Sequence, residues 1–152
     1  MRTRSVLLAA VVLCVVAAAA SAIPQNLVVV LDASNSMNKI LAVKTRIDAA
    51  RDALSDLLAG APAGEEIGLL VYGHRINYQD EVESCQDIEM LFPIAPLDAV
   101  LRGRMISAIG VITAQGKTPL ADSLTEAANA ISATGEGGVI VLLSDGEGNC
   151  GG

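Results

Sequence analysis

The 152 residues include 17 acidic and 10 basic side chains, no tryptophan, two tyrosines and one phenylalanine. This acid excess argues against nucleic acid or an anionic membrane surface as a partner, because phosphate groups are held mainly by Lys and Arg. So few aromatic rings also leave little material for platforms that stack bases or sugars.

The first segment reads as an export leader. Arg2 and Arg4 make a basic start, residues 6–20 are an apolar run, and Ala20-Ser21-Ala22 fits the small-x-small cleavage rule, so the mature chain is expected to begin at Ile23. The run falls short of the roughly twenty apolar residues that span a bilayer, which favours cleavage over anchoring, with the membrane met only transiently during export. A periplasmic or secreted location follows. Cys14 follows Leu13, where a lipoprotein signal wants a small residue. Removing residues 1–22 leaves one domain, 23–152, with one core. It keeps eight basic residues against 17 acidic ones, a charge of −9. Cys85 and Cys150 remain; they either pair in an oxidising compartment or stand as separate thiols.

Residues 27–31 (Leu-Val-Val-Val-Leu) are an unbroken apolar run ending at Asp32, the pattern of a strand buried on both faces. Ile40, Val43, Ile47, Ala50, Leu54, Leu57 and Leu58 then recur at helical spacing, and Gly60 and Pro62 close that helix. Residues 67–72 predict a second strand, 73–87 a polar loop, and 88–94 a third strand whose Pro93 suits a sheet edge. Leu97, Val100, Leu101, Met105 and Ile109 predict a helix over 97–109. Thr118-Pro119 predicts the start of another, with Thr118 as its cap. Residues 139–143 predict a second buried strand, which ends at Ser144-Asp145-Gly146. Alternating strands and helices imply a three-layer α/β architecture, a mostly parallel Rossmann-like sheet flanked by helices. In such sheets ligands sit beyond the carboxyl ends of the strands.

Two apolar strands run directly into an aspartate, at Asp32 and at Asp145. Asp32-Ala33-Ser34-Asn35-Ser36 places a carboxylate and two hydroxyls on alternate residues at a strand tip, and Thr118 offers a third hydroxyl from another loop. Oxygen donors of this kind suit hard cations. Asp32-x-Ser34-x-Ser36, Gly116-Lys117-Thr118-Pro119-Leu120 and Ser144-Asp145-Gly146-Glu147 together resemble, in order and spacing, the three parts of the metal-ion-dependent adhesion site of von Willebrand factor A domains. Tyr72-Gly73-His74-Arg75 and Cys85-Gln86-Asp87-Ile88-Glu89 are similar to segments of bacterial exported members.

The resemblance implies that Ser34, Ser36 and Thr118 touch the metal directly and that Asp32 and Asp145 hold it directly or through water. The ion is Mg²⁺, or else Mn²⁺ or Ca²⁺, and a partner protein's carboxylate completes its coordination. The module binds protein and catalyses nothing. Asn35 stands where Gly is commoner, and Asn tolerates the left-handed backbone region. Family domains also continue with two more strands and their helices, whereas this sequence stops at Gly151-Gly152, so a fragment lacking the last strands is expected.

Simpler roles compete for each motif. Ser34, Ser36 and Asn38 are ordinary turn or cap residues, Thr118 an ordinary cap, and Asp145-Gly146 an ordinary turn; their joint occurrence carries the metal reading. His74 has no nucleophile in an elbow motif beside it, so a surface or packing role is expected. Asp80, Glu81, Glu83, Asp87 and Glu89 lack EF-hand spacing and read as a solvated loop. Two alternatives remain: a metal-assisted phosphoester hydrolase using Lys117, and a truncated remnant that binds nothing.

Overall fold

The computed structural model describes residues 26–146 and 148–150. The expected leader, residues 1–22, and Glu147 of the third motif lie outside them. Strand β1 (Asn26–Asp32) and β4 (Glu66–Tyr72) form the centre of a four-stranded sheet of order β5-β4-β1-β6. Strand β6 (Gly138–Leu143) pairs with β1 in parallel, as β4 does on the other side, while β5 (Ile88–Pro96) runs antiparallel to β4. Pro93 lies on β5, an edge strand whose pairing with β4 shifts register around it, so its missing N–H costs the sheet little.

Helices cover both faces, giving the expected three-layer α/β arrangement. Val29 and Leu31 of β1 and Leu69 and Val71 of β4 point to one face, where α1 (Arg46–Gly60) contributes Ile47, Ala50, Leu54 and Leu58. Helix α3 (Ala99–Val111) adds Met105 and Ile109 to the same core. Val28, Val30, Leu70 and Tyr72 point to the other face, under Ala127 and Ile131 of α4 (Leu120–Ala133). This alternation along fully buried strands is why their sequences read as continuous apolar runs. Residues 139–143 do not form the second buried strand expected: among the described residues β6 is the other edge of the sheet, none of its residues is fully buried, and Val139 and Leu142 are exposed.

Further expectations change, and Asn35 does not use the left-handed region that it tolerates. The helical spacing that began at Ile40 does not make a helix there, because residues 40–45 form a two-residue hairpin, β2 (Ile40–Leu41) and β3 (Lys44–Thr45). Its turn holds Ala42 at φ 61°, and Ile40 and Val43 are exposed. Helix α1 starts only where Thr45 caps it, accepting a hydrogen bond from the Asp48 amide. Thr118 does not cap α4, whose cap position is Pro119 without a side-chain bond. Asn35 lies instead in a 3₁₀ turn (Asn35–Asn38). Finally, the polar loop includes a short helix α2 (Glu81–Ser84), and Asp87 is buried rather than solvated.

Candidate functional site

Because β1 and β6 are parallel neighbours, their carboxyl ends share one rim, and the chain residues that follow them meet there. The crossover from β1 to β4 runs through α1 on one face, while α4 approaches β6 on the other, so β1 and β6 flank the topological switch point. Asp32 sits at the tip of β1, fully buried. One of its oxygens accepts from the Ser34 amide (2.7 Å) and the other from the Ser144 hydroxyl (2.7 Å). The Tyr72 hydroxyl reaches Ser144 at 3.5 Å. Burial pushes that phenol up from its ordinary range, and the negative charge of Asp32 adds to the effect, so it remains a proton donor.

The loops are threaded tightly. The Asn35 amide donates to the Gly116 carbonyl (2.8 Å), and the Gly116 amide to the Gly73 carbonyl (2.7 Å). Gly73 holds φ 71°, and a Cβ on Gly116 would stand 2.5 Å from the Gly73 Cα, so this crossing admits no side chain. The crossing carries Thr118 beside Ser34 and Ser36: all three line a cleft of about 200 Å³ together with Asn35, Lys39, Tyr78, Gly116, Lys117 and Asn149.

The Ser34 and Ser36 hydroxyl oxygens are 3.1 Å apart, and Ser36 donates to Asp145 Oδ1 (2.7 Å). Asp145 Oδ2 is bound by the guanidinium of Arg46. Thus Ser34, Ser36 and Asp145 form a continuous chain of oxygens, Asp32 is linked to them through the Ser34 amide, and Thr118 faces the same cleft. Asp145 itself turns toward a neighbouring cleft of about 360 Å³ lined by Met37, Leu41, Arg46, Ala50 and residues 142–144.

Asn149, Arg46 and Lys39 carry no mark in the sequence, whereas Lys117 does, and so do Cys85 and Cys150, whose pairing the sequence leaves open. Asn149 accepts from the Thr118 amide (2.8 Å) and donates its own amide to the Thr118 carbonyl (3.2 Å). Cys150 beside it is bonded to Cys85 (S–S 2.04 Å), and the neighbouring Ser84 hydroxyl accepts from the Lys117 amide (2.8 Å). Lys117 Nζ is paired with Glu81 (2.9 Å). Arg46 lies inside a helical pattern with nothing to distinguish it, and Lys39 just precedes that pattern.

His74, Arg75, Asp87 and Glu89 make a separate cluster. His74 Nε2 is 2.9 Å from Glu89, and Asp87 accepts from the Arg75 side chain (2.6 Å) and from the Arg75 and Ile76 amides (2.7 and 2.9 Å). Burial pushes the Asp87 carboxyl up, but the Arg75 bond, the two amides and the nearby His74 outweigh it, and the net direction is down.

Among the described residues no three His, Cys, Asp or Glu side chains are grouped so as to hold a metal ion by themselves. An ion at this rim must therefore be held by hydroxyls, two carboxylates and water, a donor set for a hard cation and not for a thiophilic one. The structure adds a further sign of fit: adjacent ligands on an octahedron with bonds of about 2.1 Å stand about 3 Å apart, and the Ser34 and Ser36 oxygens have that separation.

A mostly parallel α/β sheet with hydroxyls and carboxylates gathered at its switch point defines the class of protein. Residues 27–147 match the von Willebrand factor type A domain model, and the chain belongs to that family. It is 31% identical over 134 residues to uncharacterized protein YwmC of Bacillus subtilis (strain 168), covering 85% of this chain and 57% of that protein. It is 28% identical over 131 residues to uncharacterized protein YwmD of the same organism, covering 84% and 57%. The chain thus spans just over half the length of these curated relatives. Among solved structures, proximal thread matrix protein 1 from the mussel byssus superposes with a TM-score of 0.57 at 15% identity, over 86% of this chain and 32% of that one, a likeness of fold.

Proposed function

We propose that the protein is an exported module that binds a partner protein through a divalent cation, Mg²⁺ before Mn²⁺ or Ca²⁺, and has no catalytic activity of its own. The observation that most supports this is the run of oxygens from Ser34 through Ser36 to Asp145, with Thr118 on the same cleft. Ser34, Ser36 and Thr118 would hold the ion, with Asp32 and Asp145 behind them. Bound there, the ion supplies an open Lewis-acidic position for a carboxylate oxygen of the partner. Thr118 is spared from capping α4 and Asp32 is fixed by two donors, so the chain itself orients this donor set. The Cys85–Cys150 bond is in keeping with an oxidising, extracytoplasmic compartment. The hydrolase alternative draws nothing from this site, where Lys117 is already paired with Glu81.

Titration of the purified protein with Mn²⁺, followed by calorimetry and by the paramagnetic signal of free Mn²⁺, tests the proposal. Saturable binding is expected, lost in Thr118→Ala and Asp32→Ala, with acetate altering the bound-ion signal as a stand-in for the partner's carboxylate. Absence of Mn²⁺ binding by the folded wild-type protein would overturn it.

A further inference from the structure

Arg46 is the first residue of α1, and that position is a poor one for a cation. The first turn of a helix carries the positive end of its dipole, which favours acids and disfavours arginine. Asp48 in the same turn obeys the rule and Arg46 breaks it. What compensates is Asp145, reached from the far end of the described chain: the guanidinium binds Oδ2 while Ser36 donates to Oδ1. The Asp145 side chain is only 8% exposed, and a carboxylate so nearly buried requires a counter-charge. The cleft that Arg46 and Asp145 share is walled by Met37, Leu41, Leu142 and Leu143, which screen the pair poorly.

A divalent ion at the oxygens of Ser34, Ser36 and Thr118 needs the same carboxylate. Both oxygens of Asp145 already have protein donors, and one of those donors is a full positive charge that repels the ion. We infer that Arg46 is a tethered counter-cation that competes with the divalent ion for Asp145 and so sets the affinity of the site. Arg46 is therefore a positioning residue. It holds Asp145 turned toward the neighbouring cleft, and it lowers the net negative charge that the ion meets. This inference rests on the metal-binding proposal above.

The test compares wild type, Arg46→Gln and Arg46→Lys by Mn²⁺ titration with the paramagnetic readout, and by thermal unfolding in EDTA. Arg46→Gln should bind Mn²⁺ about tenfold more tightly, the factor that a unit and a divalent charge several ångströms apart contribute even at the dielectric constant of water. In EDTA the same variant should unfold at a lower temperature, because Asp145 loses its counter-charge. Arg46→Lys keeps the charge and should stay within about threefold of wild type, which separates charge from packing. If wild type and Arg46→Gln bind Mn²⁺ equally, or Arg46→Gln binds more weakly, the competition is overturned while the metal site stands. If neither binds, the metal proposal falls and this one with it.

Discussion

The Cys85–Cys150 bond joins residues 65 apart, and between them lie β5, α3, α4 and β6. Opening it, by reduction or by Cys85→Ser, frees a long loop in the unfolded chain. On the chain-entropy relation, a loop of that length corresponds to about 4 kcal/mol at 25 °C. The native contacts next to Cys150 that reduction would loosen are the Asn149–Thr118 bonds, and their loss would add to the effect. Urea unfolding of the oxidised and reduced protein measures the difference directly. With a slope near 2 kcal/mol per molar, the midpoint should fall by roughly 2 M on reduction. The reduced protein should also bind Mn²⁺ more weakly, since both ends of the bond brace the segment carrying Lys117 and Thr118, through Ser84 on one side and Asn149 on the other. Oxidised and reduced forms that unfold within about 1 kcal/mol of each other would refute the loop-closure reasoning.

Three further substitutions probe the frame around the site. Asp87 has a carboxyl held below its ordinary value of 3.8, so the stability it contributes is complete above that pH and disappears as the pH falls from there through the lower folded value. Acid titration by circular dichroism should show this limb, and Asp87→Asn should flatten it while lowering stability at neutral pH by about 1–3 kcal/mol through its lost bonds to Arg75 and Ile76. Gly116→Ala puts a Cβ 2.5 Å from the Gly73 Cα, far inside the 3.5–4.0 Å of a normal carbon contact, and should cost about 1–3 kcal/mol or more and abolish Mn²⁺ binding by displacing Thr118. Gly110→Ala in α3, whose Cβ meets nothing within 4 Å, should instead leave binding intact and stabilise the fold by up to about 1 kcal/mol.

Much of the fold is legible in the residue order, for reasons that particular residues make clear. Strands β1 and β4 are buried on both faces, so their interiors are almost wholly apolar and the runs at 27–31 and 67–72 stand out unaided. Gly60 and Pro62 closed α1 near its observed end at Gly60. The spacing predicts too early a start for α1 because Ile40 and Val43 happen to continue the three- and four-residue pattern, although they sit exposed on a hairpin. Periodicity records apolar positions without recording whether anything covers them. Thr118 before Pro119 looked like an ordinary cap because local chemistry favours it, yet the crossing of Gly73, Gly116 and Asn35 takes that residue to the cleft instead.

From the residue order alone came the layered α/β class, the two aspartates at strand tips and the oxygen-rich motifs, because burial on both faces and turn chemistry leave their marks within a few neighbouring residues. Only the tertiary structure decided that Ser36 would meet Asp145 across 109 positions, that Asn149 would clasp Thr118, and that Arg46 would claim the other oxygen of Asp145. Those partners are set by which strands lie side by side and on which face each crossover runs. Spacing within the chain cannot express such a relation, because the residues that share the rim are brought there by the pairing of β1 with β6 and not by their own sequence neighbours.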